Sequence, residues 1–150
     1  MTRTPARANP PLGVEPPARS LQPVAGIRCE IERGPNWLFV RIAPGSALPT
    51  TPADAEHWCE ALWSVCKRHF VYRLVLEMEA VDAVSAPADA ALAWLGEQLR
   101  TRGGSLKLCG MTDACLRRWD DSHSNLRAHG TRRDAVLSTD SHESVLLKAP

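Results

Sequence analysis

Between Arg73 and Gly110 the chain carries one continuous supersecondary pattern, and this stretch restricts the fold more than any other. Leu74-Val75-Leu76-Glu77-Met78 is a compact apolar run of strand length. A turn-like segment, Glu79–Ala86, leads into a helical pattern over Pro87–Arg102, whose apolar stripe is Ala88, Ala91, Leu92, Leu95 and Leu99. Gly103-Gly104 stops that helix, and Leu106-Lys107-Leu108-Cys109 reads as a second strand. A helix that joins two strands implies parallel strands and a right-handed crossover. In such a unit a functional site usually sits where the carboxyl end of the strand meets the start of the helix. Here Asp82, Ser85, Ala86, Pro87 and Ala88 occupy that place.

The flanking chain extends this unit. Residues 1–26 hold six of the twelve prolines and few large apolar side chains, a composition that predicts a disordered Pro-rich arm. The alternation of Ile27, Cys29 and Ile31 with Arg28, Glu30 and Glu32 predicts a strand with one buried face. Arg33-Gly34-Pro35-Asn36 is a turn by composition, and Trp37–Ala43 is a second strand that completes a hairpin. Thr51 as N-cap, Pro52 and Asp54 then open a helix that carries Trp58, Leu62, Val65, Cys66 and His69 up to Phe70.

After Gly110, Thr112-Asp113 caps a helix bearing Cys115, Leu116 and Trp119, and Asp120–Asn125 reads as polar loop. Leu126–His129 is a short last strand and Thr131–Leu137 a short last helix. Residues 138–150 form a tail in which Val145-Leu146-Leu147 either docks or stays free. The expectation is therefore an α/β domain over residues 27–137, a mixed sheet of four to five strands covered by about four helices. No internal repeat is visible.

Composition narrows the chemistry. A net charge of +1 with scattered Lys and Arg predicts no strong electrostatic pull toward nucleic acid or anionic membranes. The doublets Arg117-Arg118 and Arg132-Arg133 read as solvated surface. Cys29, Cys59, Cys66, Cys109 and Cys115 form an odd set without a CxxC pair, and they read as small core residues kept reduced in a cytoplasm. MTRTPARANPP lacks the apolar stretch of a secretory leader, and no segment is long enough to span a bilayer.

His57, His69, His123, His129 and His142 show no metal-ligand spacing. His123 with Asp120 and Asp121 fits no metal template, and pairing Cys115 with His129 for nucleophilic catalysis has no support in the sequence. No Gly-rich phosphate cradle exists, because Arg102-Gly103-Gly104 is a helix C-cap. No cofactor is expected.

Taken together, four stretches resemble a STAS domain, the family of bacterial anti-sigma factor antagonists and of sulfate-transporter cytoplasmic domains. They are Leu74–Met78 with Val81-Asp82, the helix Ala88–Arg102, the run from Thr101 to Gly110, and Leu126 with Thr131–Val136. In that family the loop entering the central helix carries an Asp-Ser-Ser-Gly or Asp-Ser-Thr-Gly motif. A partner kinase that is also the anti-sigma factor phosphorylates the second hydroxyl residue, and unphosphorylated antagonist binds that kinase. Laid over this chain, the motif puts Ser85 at the Asp, Ala86 at the first Ser, Pro87 at the acceptor and Ala88 at the Gly. The resemblance thus implies a degenerate phosphorylation site with no acceptor hydroxyl.

Pro87 cannot take phosphate and removes a backbone donor, yet its fixed φ suits the first turn of a helix. Ser85 reads either as the N-cap, worth about 1 kcal/mol, or as a displaced phosphoacceptor. Asp82 and Asp89 either bind a metal or steer a kinase, or are solvated loop and first-turn carboxylates, with Asp89 favoured by the helix dipole. Trp94 lies off the apolar stripe, and either covers the rim of the core or marks a partner-binding face. Trp63 reads as cover for the rim of the core.

The partner-binding set expected from the sequence is Asp82, Ser85, Ala86, Pro87, Asp89 and Trp94. The first function class is a non-enzymatic, cytoplasmic binding module for transcription regulation, whose partner is an anti-sigma factor or serine-kinase-like protein. The second is a STAS-type accessory subunit of a lipid-transport ABC system, with a transporter subunit as partner. The third is a small enzyme with an unrecognised site.

Overall fold

The computed structural model describes residues 19–24, 26–121 and 126–138. Their elements run β1 (Arg19–Val24), β2 (Ile27–Arg33), β3 (Leu38–Ile42), α1 (Pro52–His69), β4 (Arg73–Glu77), α2 (Ala86–Thr101), β5 (Ser105–Cys109), α3 (Asp113–Asp121), β6 (Arg127–His129) and α4 (Arg132–Leu137). These six strands form one mixed sheet in chain order. β1 to β3 pair antiparallel, and the β3–β4, β4–β5 and β5–β6 pairs are parallel. Because α1 and α2 bridge successive parallel strands on one face of the sheet, they run alongside each other in the same direction.

Local chemistry accounts for the boundaries. Thr51 Oγ1 accepts the Asp54 N–H at 3.2 Å, Thr112 Oγ1 accepts that of Cys115 at 3.1 Å, and Thr131 Oγ1 accepts that of Asp134 at 3.1 Å. Each hydroxyl satisfies a donor that the first helical turn leaves unpaired. At the end of α2, Gly103 adopts φ +77°, and the Gly104 N–H returns to the Leu99 carbonyl at 2.9 Å. A Cβ on Gly104 would lie 1.8 Å from the Tyr72 carbonyl oxygen, so only glycine lets the turn pass so close to the start of β4.

Strand alternation divides the side chains between two faces. Ile27, Cys29, Ile31, Leu38, Val40, Ile42, Leu74, Leu76, Leu106 and Leu108 point one way, into a core closed by α1, α2 and α3. Trp58, Leu62, Leu92, Leu95 and Leu99 of the helices are almost fully buried there. Each such aliphatic side chain contributes about 1.5–3 kcal/mol by leaving water. The other face carries a small cluster of Trp37, Val75, Cys109 and Ala135 under α4. Glu77 and Lys107 are also buried on this second face. Glu77 Oε2 accepts from Arg132 Nε at 2.6 Å, and Lys107 Nζ donates to the carbonyls of Ala135 and Ser138 at 3.0 and 2.8 Å.

The structure corrects the sequence expectations at several boundaries. Arg19–Val24, assigned by composition to the Pro-rich arm, is an edge strand paired with β2. Its pairing is irregular between Leu21 and Val24, around Pro23, which has no N–H to give a ladder, and Gly26 at φ +87° turns the chain into β2. Backbone pairing rather than an apolar pattern defines β1, and this raises the strand count above four to five. The rest of the arm, residues 1–18, lies outside the described residues.

α2 begins at Ala86 and ends at Thr101, one residue earlier at each end than the apolar pattern suggests. The second hairpin strand is trimmed to Leu38–Ile42, and α3 continues through Asp121 where polar loop was expected from residue 120. Ser138, placed in the tail, closes α4: its N–H bonds the Asp134 carbonyl at 3.1 Å and its Oγ meets Lys107 Nζ at 3.0 Å. Val145-Leu146-Leu147, His123 and His142 lie outside the described residues.

Candidate functional site

β4 ends at Glu77, and the loop from Met78 to Ser85 carries the chain to α2. Two buried side chains, Met78 and Val81, pin this loop, and the Met78 N–H bonds the Cys109 carbonyl of the neighbouring strand at 2.8 Å. Ser85 then fixes the helix start with both of its hydroxyl functions. Its Oγ accepts the Ala88 N–H at 3.1 Å and donates to the Pro49 carbonyl at 2.7 Å. Its own carbonyl accepts the Asp89 N–H at 2.9 Å. Ser85 is thus the N-cap of α2 and also ties that helix to the loop preceding α1. Ala86 and Pro87 fill the first turn, with Asp89 completing it as the acid that the positive dipole end favours.

The six residues singled out from the sequence separate in space. Asp82 and Ala86 are exposed, Ser85, Pro87 and Asp89 are half-buried, and Trp94 keeps 39% of its surface in contact with solvent. Pro87, Ala90, Ala91 and Trp94, at helical spacing, form one wall of a groove of about 390 Å³. The opposite wall is Pro52, Glu56 and Glu60 of α1, which sequence reasoning missed. Their i, i+4, i+8 spacing puts them on one face of α1, but only the side-by-side packing of the helices makes that face part of the site. Asp82, Ser85, Ala86 and Asp89 do not line the groove.

Trp63, by contrast, covers the edge of the core. Its ring lies 5.9 Å from that of Tyr72, and Lys67 and Arg102 sit 5.4 Å from its centroid.

The remaining reactive groups are built into the interior. All five cysteines are buried and stand outside any disulfide. Burial raises the Cys29 and Cys59 thiols and pushes Cys66 and Cys109 up to about 12; at Cys109 the carboxylates of Glu77 and Glu79 add to it. Cys115 of α3 packs into the main core, whereas the His129 ring faces Ser138 on the other side of the sheet at 3.5 Å. Among the described residues no group of three His, Cys, Asp or Glu side chains is placed to hold a metal ion. Asp120 and Asp121 fall in α3, but their partner in the metal reading, His123, is outside the described residues. No helix among the described residues is long and apolar enough to cross a membrane.

No protein-family model and no curated protein matches the sequence. Solved structures do match in three dimensions. A candidate anti-sigma factor antagonist from Thermotoga maritima superposes with a TM-score of 0.57 at 10% identity, covering 72% of this chain and 91% of its own. Moorella thermoacetica RsbS, in a form with glutamate replacing a serine, gives 0.56 at 13% identity over 81% and 98%. A chain of the stressosome, a signal integration and transduction hub, gives 0.53 at 13% identity over 79% and 99%. At these identities the likeness is one of fold. That fold is the STAS fold of the anti-sigma factor antagonists.

Proposed function

We propose that the chain is a non-enzymatic, cytoplasmic protein-binding module of the anti-sigma factor antagonist type that docks its partner without phosphate control. The partner surface is the loop Val81–Pro87 together with the exposed side of α2 around Trp94. The observation that carries this reading is the chemistry of the helix entrance. Pro87 stands in the first turn of α2, and the nearest hydroxyl, on Ser85, is half-buried and engaged both as donor and as acceptor.

Attaching phosphate to Ser85 would sever its bond to Pro49 and bring about −1.5 to −2 charges against that carbonyl oxygen. The same bonds hold the entrance in one shape, which suits a surface recognised constitutively. Trp94 supplies the half-exposed aromatic group that contact hot spots favour.

The test is capture from native lysate with the wild-type protein and a Trp94→Ala variant of unchanged circular dichroism. A kinase-type regulatory partner is expected to be retained by the first and lost by the second. In parallel, incubation with serine kinases is expected to leave Ser85 unmodified by mass spectrometry. Equal capture by both proteins overturns the assigned surface, and stoichiometric phosphate on Ser85 overturns constitutive binding.

A further inference from the structure

At the opposite end of the sheet, where α1 and α2 finish, lies a polar concavity of about 490 Å³. Arg33 at the end of β2, Arg73 at the start of β4 and Arg102 after α2 all line it, with Asn36 beside them. Among the described residues, Arg41, Arg100 and Arg132 are ion-paired to carboxylates, whereas Arg33, Arg73 and Arg102 make no such pair.

Two of these three are held by aromatic rings. The Arg102 guanidinium lies 5.4 Å from the Trp63 centroid and 5.1 Å from that of Tyr72, and its Nη1 donates to the Tyr72 hydroxyl at 3.0 Å. Arg73 lies 5.7 Å from the centroid of Trp37. Ring faces orient a guanidinium without neutralising it, so the charge stays available to a ligand.

The simplest alternative is that these arginines only offset the carbonyl ends of the two helices. Each end carries about half a negative charge, so both together offset about one positive charge of the three. Lys67 and Arg68 in the last turn of α1 already serve that end. A surplus of about two positive charges therefore remains around the concavity. Its volume is that of a small-molecule site, and its wall is polar rather than apolar. Planar guanidinium forks match the paired oxygens of phosphate better than a diffuse basic surface does. Phe70 completes the wall with a ring 81% exposed, on a residue held at φ +56°, a conformation that favours glycine.

We propose that this concavity binds a small phosphate-bearing anion with more than one negative charge, gripped by Arg33, Arg73 and Arg102. Its organic portion rests against Phe70. The site lies at the end of the sheet away from the α1–α2 groove, and it does not depend on how that groove is used.

Calorimetric titration of the full chain with inorganic pyrophosphate at low ionic strength tests the assignment. Saturable binding at one site is expected, weakened about tenfold or more in Arg33→Ala and in Arg73→Ala. Arg33 is exposed beside a turn, so its variant keeps the fold. Arg41→Gln, which removes a positive charge outside the concavity, is expected to bind as wild type does.

A second arm separates a free ligand from a lipid headgroup by co-sedimentation with phosphatidylglycerol–phosphatidylcholine vesicles, and a third uses a polyglutamate peptide. The proposal is overturned by absence of pyrophosphate binding or by equal weakening in Arg41→Gln. It is equally overturned by arginine-dependent binding of the vesicles or the peptide when pyrophosphate does not bind.

Discussion

The two faces of the sheet are built from the same strands and solve burial in opposite ways. Under α1, α2 and α3 the buried strand positions are apolar, and among the described residues the core there holds no charged side chain. On the face that carries the six-residue α4, the outward positions of the same strands include Glu30, Glu32, Arg41, Glu77 and Lys107. The difference is one of cover. Three helices exclude water and tolerate only apolar groups, whereas a short one leaves charges that must be solvated, paired or capped. Glu77 shows the middle case: with its side chain 8% exposed, it is matched by Arg132, which also reaches Glu32 at 3.1 Å and lies 4.1 Å from the Phe39 centroid. One face therefore supplies bulk stability, and the other fixes where α4 sits.

The sharpest way to break this contrast is Leu92→Ala. Leu92, on the buried face of α2, is fully buried, and its truncation is expected to cost about 3 kcal/mol, read from the midpoint of urea unfolding. A loss below about 1 kcal/mol would mean that the covered face does not carry the stability. On the other face, Glu77→Gln keeps the shape and removes the charge-assisted bonds. About 2 kcal/mol is expected, with exchange protection of the α4 amides falling first. If the α4 amides are unaffected, the ion pair does not hold that helix.

Ser85→Ala deletes the cap of α2 and its tie to Pro49, for about 1 kcal/mol by thermal unfolding. The smallest effect belongs to Glu30, whose carboxyl is held below its ordinary value of 4.5 by the hydrogen bond and charge of Arg41. A carboxyl lowered in the folded state favours folding above its ordinary value, and that gain fades as pH falls through the lowered one. Arg41→Gln should therefore shrink the gap to wild type on acidification below 4.5, as followed by fluorescence-monitored unfolding across the acid limb.

Much of the fold is legible in the residues. The β4–α2–β5 unit follows from an apolar run, a 3.6-residue stripe and a Gly-Gly stop, each of which acts locally. The N-caps at Thr51 and Ser85 are equally local. What escapes the sequence depends on partners distant along the chain. β1 has Pro23 as its last residue but one and is defined by backbone pairing to β2. The burial of Glu77 depends on Arg132, fifty-five positions away, and that of Lys107 on the carbonyls that close α4. For the site, the sequence points to α2 and its entrance, including Pro87 and Trp94. It could not supply Glu56 and Glu60, because a helix reveals its own faces but not which neighbour each will meet.

The five sealed sulfhydryls give the folded chain a particular temperament toward oxidants. Thiolate is the species that attacks peroxides and disulfides, and at neutral pH groups pushed as high as Cys66 and Cys109 contain almost none. The thiols of native protein should pass through an oxidative burst unmarked. Only chain that has come apart presents its thiols, so any intermolecular disulfide in a preparation is a fingerprint of damage rather than a signal.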